Sequence, residues 1–383
     1  MIRKFSIAFL LLCSAFATQA QTILSKSECR AAQMALEAEW RNNAYNNYAQ
    51  AIENNVFTSG DLKLKIKPVL YGDKPADGRS LYISMHGGGG TTTDVNDQQW
   101  RNQMYLYKPE EGVYVAPRAP WDAWNMWFQE GIDELFEMLI QAAVAHWEVN
   151  PDKVYLLGYS AGGDGVWRMA PRMADRWAAA SMMAGHPGEA SQVNLRNTPF
   201  MIWMGENDAA YNRNTLAVKH GAIMDSLQTA DPAGYIHQTH IIKGKGHWMD
   251  RVDAQALPWM AQFRRNPYPE KIVWRQELVA RTAMYWLSAP KEECKHGATV
   301  IVERKGNVID ISQCDYSRLT LYLNDEMFNL DRPIEVRYQG KRIFKGRVPR
   351  TSETLQQTLV ERGDLRYCFP AKVEVMIPKG YDF

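Results

Sequence analysis

The sequence predicts a mixed α/β protein: a mainly parallel sheet with helices on both faces, followed by a mostly antiparallel, sandwich-like β region. Three observations predict it. Between about residues 62 and 250, short apolar runs alternate with longer helical stretches, which is the spacing of βαβ crossovers. Each chemically loaded motif discussed below falls just after such a run, where ligands of parallel sheets bind. Beyond residue 266 the helical periodicity gives way to closely spaced strand-like runs with turn residues between them.

In chain order, the first element is not part of the fold. Arg3 and Lys4 precede an apolar stretch from Phe5 to Phe16, and Thr18-Gln19-Ala20 offers a small residue for cleavage. Residues 1–20 are therefore expected to be an export leader, with cleavage after Ala17 as an alternative. Cys13 follows leucines rather than a small residue, which disfavours a lipoprotein. The apolar stretch is too short to span a bilayer, so the remaining 363 residues are expected to be an exported, periplasmic or extracellular protein without a membrane anchor. That length predicts two domains: residues 21–265 and residues 266–383, joined at Arg265-Asn266-Pro267-Tyr268-Pro269, where two prolines interrupt regular structure.

Residues 25–55 read as a terminal helix. Strands are expected at 81–85, 112–116, 153–157, 178–183, 200–204 and 235–242, with helices at 131–147, 161–174 and 212–227. The second region is expected to hold strands at 272–275, 282–287, 298–303, 308–312, 319–323, 334–338, 342–344 and 373–377. One helix, 352–362, interrupts them with Ser352 as its N-cap.

The formal charge is +1 over the whole chain and about −1 without the leader, which gives no electrostatic reason for a nucleic acid or anionic membrane as partner. Oligomeric state is not legible. Of five cysteines, Cys29, Cys294, Cys314 and Cys368 remain after export. Cys294 and Cys314 flank an expected hairpin and are the favoured disulfide, the alternative being four buried free thiols.

The most informative motif is Gly158-Tyr159-Ser160-Ala161-Gly162-Gly163, set between an expected strand and helix. A serine on so tight a turn needs glycine two residues away on each side, because a side chain there collides with neighbouring backbone. The following helix start supplies N–H groups for a developing negative charge. Asp164, in the first helical turn, is explained by the helix dipole.

A serine hydroxyl becomes a nucleophile when an imidazole takes its proton and a carboxylate fixes that imidazole's tautomer. The expected chain order is serine, acid, histidine. Asp208 lies four residues past the strand 200–204, and His247 lies in the flexible loop after 235–242. Glu206 is the rival acid, with less reach. His237 and His240 are three apart on a strand and point to opposite faces, so they make a poor metal pair. No metal or cofactor is expected. His86-Gly87-Gly88-Gly89-Gly90 follows an early strand, and one N–H there, with Gly88 favoured over Gly87 and Gly89, is expected to join Ala161 in an oxyanion hole.

With these residues in place, the chain resembles the α/β-hydrolase serine esterases of the polyhydroxybutyrate depolymerase and the feruloyl and acetylxylan esterase group. The resemblance covers about residues 62 to 250. Its motifs are His86-Gly87, Ser160 with the run to Gly165, Asp208 and His247. It implies an exported enzyme that cleaves carboxylic esters through an acyl-enzyme. Gly88 stands where depolymerases often carry cysteine, which weakens a polyester substrate.

Thirteen tryptophans, several in loops, point to aromatic stacking on sugars or aromatic acyl groups. Trp124, Asn125, His186, Tyr211 and Trp248 are expected to line the substrate pocket, whereas Trp127 is expected in the core. The expected substrate is a carbohydrate-linked acetyl or feruloyl ester. Alternatives are a serine peptidase, a polyester depolymerase and a non-catalytic glycan-binding protein that kept the fold.

Overall fold

Apolar residues at successive positions, as in Val113-Tyr114-Val115-Ala116, suit strands covered on both faces. In the computed structural model, which describes residues 22–378, such strands form the centre of an eight-stranded sheet. The expected leader and Cys13 lie outside the described residues. The strands are β1 (Val56–Ser59), β2 (Leu62–Tyr71), β3 (Arg79–Met85), β4 (Gly112–Arg118), β5 (Val149–Tyr159), β6 (Ala179–Met183), β7 (Phe200–Gly205) and β8 (His237–Ile242). Their spatial order is β1-β2-β4-β3-β5-β6-β7-β8. The first two join antiparallel, and every pair from β4 to β8 is parallel.

The central strands β3 to β7 are buried along most of their length, whereas β2 and β8 carry many partly exposed positions. Helices α1 (Lys26–Asn54), α2 (Thr93–Gln103), α3 (Ile132–His146), α4 (Ala161–Arg172) and α5 (Arg213–Ala230) accompany the sheet. Two apolar clusters take opposite residues of the same strands: Leu81, Ile83, Val113 and Leu156 lie in one, and Tyr82, Tyr114, Tyr155 and Leu157 in the other. This alternation is what a sheet covered on both faces requires. The α1 helix begins with a capping box between Ser25 and Glu28 and ends at Asn55 in the left-handed region.

Beyond β8 two further sheets enclose their own apolar cluster, which includes Trp274, Trp286, Leu321 and Phe369. One holds Lys271–Arg275, Thr299–Lys305, Val308–Cys314, Ile334–Tyr338 and Lys341–Gly346 in spatial order. Its pairs are antiparallel except that 308–314 and 334–338 run parallel. The other, fully antiparallel, holds Ala283–Met284, Leu287–Ser288, Arg318–Leu323 and Ala371–Met376.

Several expectations are corrected. The stretch 282–287 is a tight hairpin rather than one strand, because Tyr285 takes a positive φ of 51° and its buried ring docks its hydroxyl on the Ala174 carbonyl. The helix α6 (Ser352–Arg362) is capped by Thr351, whose hydroxyl accepts the Thr354 N–H, and not by Ser352. No bond joins Cys294 to Cys314: their sulfurs turn to the carbonyls of Pro290 and Tyr316 instead. All four described cysteines are buried free thiols.

The link between the two halves is ionic as well as apolar. Arg176, just past α4, reaches Glu137 of α3 at 2.8 Å and Asp364 at 3.1 Å. Arg265 reaches the same Asp364 at 2.6 Å and Asp152 at 2.8 Å, and Arg362 reaches Asp175 at 2.8 Å. Among the described residues no helix is long and apolar enough to cross a membrane.

Candidate active site

The site is built where β5 turns into α4. Ser160 sits at the turn with φ 58° and ψ −120°, a conformation that L-residues rarely adopt and that needs support from its surroundings. The support is visible. The Ser160 N–H donates to the Met183 carbonyl at 2.9 Å, and its own carbonyl accepts the Asp164 N–H at 2.9 Å. A Cβ on Gly158 would strike the Gly162 carbonyl, and one on Gly162 would strike the Met85 carbonyl. The two glycines thus let three backbone segments meet behind the serine.

His247 and Asp208 reach Ser160 from neighbouring strand ends. His247 Nε2 lies 2.9 Å from the Ser160 hydroxyl, and its Nδ1 lies 2.7 Å from an Asp208 oxygen. Asp208 is buried, while the His247 ring remains partly exposed. The rival acid has another task. Glu206 accepts the Gly244 N–H at 2.7 Å, and the Asn207 N–H donates to the Lys245 carbonyl at 2.8 Å. The acid loop thereby clamps the histidine loop in place.

A residue not singled out from the sequence completes this clamp. The Tyr159 hydroxyl, beside the serine, donates to the His247 carbonyl at 2.6 Å and accepts the Met249 N–H at 3.1 Å. Its position next to Ser160 was the only available signal, and a buried tyrosine on a central strand ordinarily reads as core.

The glycine loop after β3 closes over the serine. Gly88 and Gly89 have φ of 104° and 110°, open to glycine at little cost. The Gly89 N–H is committed to the Asn96 side chain at 2.9 Å, whose amide returns a bond to the Gly89 carbonyl at 2.9 Å. The Gly88 N–H has no partner among the described residues. The Ala161 N–H, first in α4, has no acceptor one turn earlier. Gly88 and Ala161 both border the hollow beside Ser160. Asn96 was not foreseen; a polar residue early in a helix carries no mark of the loop that it will hold.

His86 is wholly buried behind this loop. Its Nδ1 faces the Gly87 carbonyl, its Nε2 accepts the Ala119 N–H at 3.2 Å, and burial pushes its pKa down to about 3. It is a neutral strut. Trp127, in the core as expected, donates to the His86 carbonyl at 2.9 Å.

Two cavities of about 450 Å³ each flank Ser160. The first is bordered by Trp124, Asp164, Arg168, His186, Tyr211 and Arg213. The second lies on the His247 side, with Gln99, Asn102, Leu106, Tyr159 and Trp248. Trp124, Tyr211 and Trp248 are exposed at the mouths. His186 borders the first cavity; its backbone N–H donates to Asp164 at 2.6 Å, and burial lowers its pKa. Asn125 borders neither cavity: its side-chain oxygen accepts from Gln129, four residues on, at 3.0 Å.

Of the other histidines, His240 stacks on Trp203 with ring centroids 4.1 Å apart, and His237 faces Asp225 at 3.1 Å. No group of three metal-ligating side chains occurs among the described residues.

No family model matches the chain, and no curated protein matches it. Among solved structures, the chain is similar to a thermostable esterase at 17% identity and TM-score 0.40, over 55% of this chain and 62% of that one. It is similar to a ferulic acid esterase at 17% identity and TM-score 0.39, over 54% of this chain and 96% of that one. A third is the feruloyl esterase module from Clostridium thermocellum complexed with sinapinate, at 16% identity and TM-score 0.38, over 54% of this chain and 86% of that one. Each of these three matches spans about half of this chain.

Proposed function

We propose that this protein is an exported serine esterase, in which Ser160 is the nucleophile, His247 the general base and acid, and Asp208 the residue that holds the imidazole. The observation that carries this reading is the unbroken pair of contacts, 2.9 Å from Ser160 to His247 and 2.7 Å from His247 to Asp208. The acid fixes the tautomer with Nδ1 protonated, leaving Nε2 free to accept the serine proton.

The Ser160 oxygen attacks the ester carbonyl carbon as its proton passes to His247. The new oxyanion sits between the N–H groups of Gly88 and Ala161. Collapse breaks the bond to the alcohol oxygen, which leaves with the proton from His247. Water then enters, gives its proton to His247, attacks the acyl carbon and frees the acid and Ser160 by the same route.

The exposed rings of Trp124 and Trp248, one at each cavity, support carbohydrate-linked acetyl or feruloyl esters as substrates. Residues 266–383 are read as an accessory β domain on the catalytic part, and residues 1–20 as the export leader. Mass-spectrometric product analysis of acetylated xylan, feruloylated arabinoxylan, a short polyester and peptides tests this reading, with wild type beside Ser160→Ala. Acetate or ferulate released by wild type alone is the expected result. Cleavage of peptides only would end the ester reading, and silence with retained glycan binding would make the protein a binding module.

A further inference from the structure

The two cavities beside Ser160 have different chemistry, and the catalytic geometry gives each a different half of the substrate. In the proposed reaction, which this inference rests on, His247 must hand its proton to the leaving alcohol. The alcohol therefore lies toward His247, in the cavity bordered by Leu106, Gln99 and Trp248. The acyl half lies in the other cavity, with Arg168, Arg213 and Asp164.

That acyl cavity carries two guanidiniums against one carboxylate. Arg168 stacks on Phe128 at 4.0 Å and spends one nitrogen on the carbonyls of Asp164 and His186, each at 3.1 Å. No carboxylate lies within 4.0 Å of it among the described residues; Asp164 first, then Glu189 and Glu277, act on it at longer range. The surroundings are shaped for it: Gly188, at φ 56°, is where a side chain would strike the Arg168 guanidinium. Arg213 is brought in by two consecutive residues at positive φ, Tyr211 and Asn212. It lies over the Tyr211 ring at 4.8 Å, only loosely paired with Asp208 at 3.7 Å, and its buried Nε has no hydrogen-bond partner. Asp208 is already engaged by His247, and Asp164 by the His186 N–H. A desolvated guanidinium without a close anion is costly unless a ligand completes it.

We infer that the acyl cavity also accepts an acyl group with a second carboxylate, received by Arg168 and Arg213, so that among short aliphatic esters the hemiesters of dicarboxylic acids are preferred over their uncharged counterparts. Arg168 stands about two turns beyond Ala161, roughly 10 Å along α4, and its side chain leans back toward the serine. A chain of roughly four or five carbons bridges what remains. Planar, bidentate donors suit a carboxylate at that point.

The test compares kcat/KM for monobenzyl succinate and monobenzyl glutarate with benzyl butyrate and benzyl valerate, alongside fluorophosphonate labelling of Ser160. The hemiesters are expected to be favoured by roughly ten- to a hundredfold, the scale of a charge-assisted contact. Arg168→Gln is expected to bring that ratio close to one through KM, and Arg168→Lys to keep part of it. On wild type, glutarate should also inhibit competitively at lower concentration than valerate, a readout independent of any variant's folding. Labelling at Ser160 without hemiester preference, or with neither ester hydrolysed, overturns the anion-binding cavity and leaves the serine nucleophile standing. Absence of labelling overturns the esterase reading and this inference together.

Discussion

At the scale of single residues, the site separates groups that react from groups that hold them. Asp208 faces His247, whereas Glu206 faces a loop N–H. Asp208→Ala is therefore expected to lower kcat by about 10⁴-fold, and Glu206→Ala by no more than about tenfold; steady-state kinetics on one ester decides, and equal losses would reject the assignment. Tyr159→Phe removes the bonds that fix the His247 carbonyl and the Met249 N–H. Its expected effect is a roughly tenfold lower kcat with KM little changed, since a displaced imidazole weakens the transition state more than substrate binding. Unchanged kcat would make the tyrosine a packing residue. Ser160, Asp208, His247 and the glycines around them were legible because tight turns and proton transfer restrict residue type. Tyr159, Asn96 and Arg213 were not: Tyr159 acts on a loop 88 residues further on, and Asn96 and Arg213 depend on the shape of nearby turns that their own residue types do not announce.

At the scale of elements, periodicity located the central strands and α3, α4 and α5 to within a few residues, and composition located α1. Strands β1 and β2 and helix α2 escaped it. The edge strand β1 has only four residues and α2 is polar on an exposed face, whereas in β2 apolar residues alternate with lysines over 62–67, a period-two strand pattern that the reading passed over. The β5–α4 turn was legible for the opposite reason, since its backbone contacts exclude side chains. Gly162→Ala would drive a Cβ into the Met85 carbonyl. The expected loss is roughly 3 kcal/mol of stability, read as a fall in the denaturation midpoint; a stable, active variant would show that the turn relaxes. The hairpin at 283–288 and the free thiols of Cys294 and Cys314 depend on packing against Ala174, Pro290 and Tyr316, which spacing alone does not report.

For the whole molecule, the two halves are tied by buried charge rather than by a crosslink among the described cysteines. Burial raises the pKa of Asp364, but the guanidiniums of Arg265 and Arg176 outweigh it and hold the carboxyl at about 2. A carboxyl depressed in the fold contributes stability that is present above its unfolded pKa and lost as pH falls through its folded pKa. Asp364→Asn leaves Arg265 and Arg176 without a shared anion and is expected to cost about 3 kcal/mol or more at neutral pH. The gap between wild type and variant should narrow as pH falls from about 4 to about 2, followed by chemical denaturation at each pH. A gap that stays constant would place the loss in packing and not in charge.

The central claim is that Ser160 is an activated nucleophile. The most direct test is intact-mass and peptide-mapping analysis after incubation with a fluorophosphonate. The account predicts one adduct on wild type, mapped to Ser160, none on Ser160→Ala, and strongly slowed labelling of His247→Ala. An adduct on another residue, or undiminished labelling of Ser160→Ala, would contradict it.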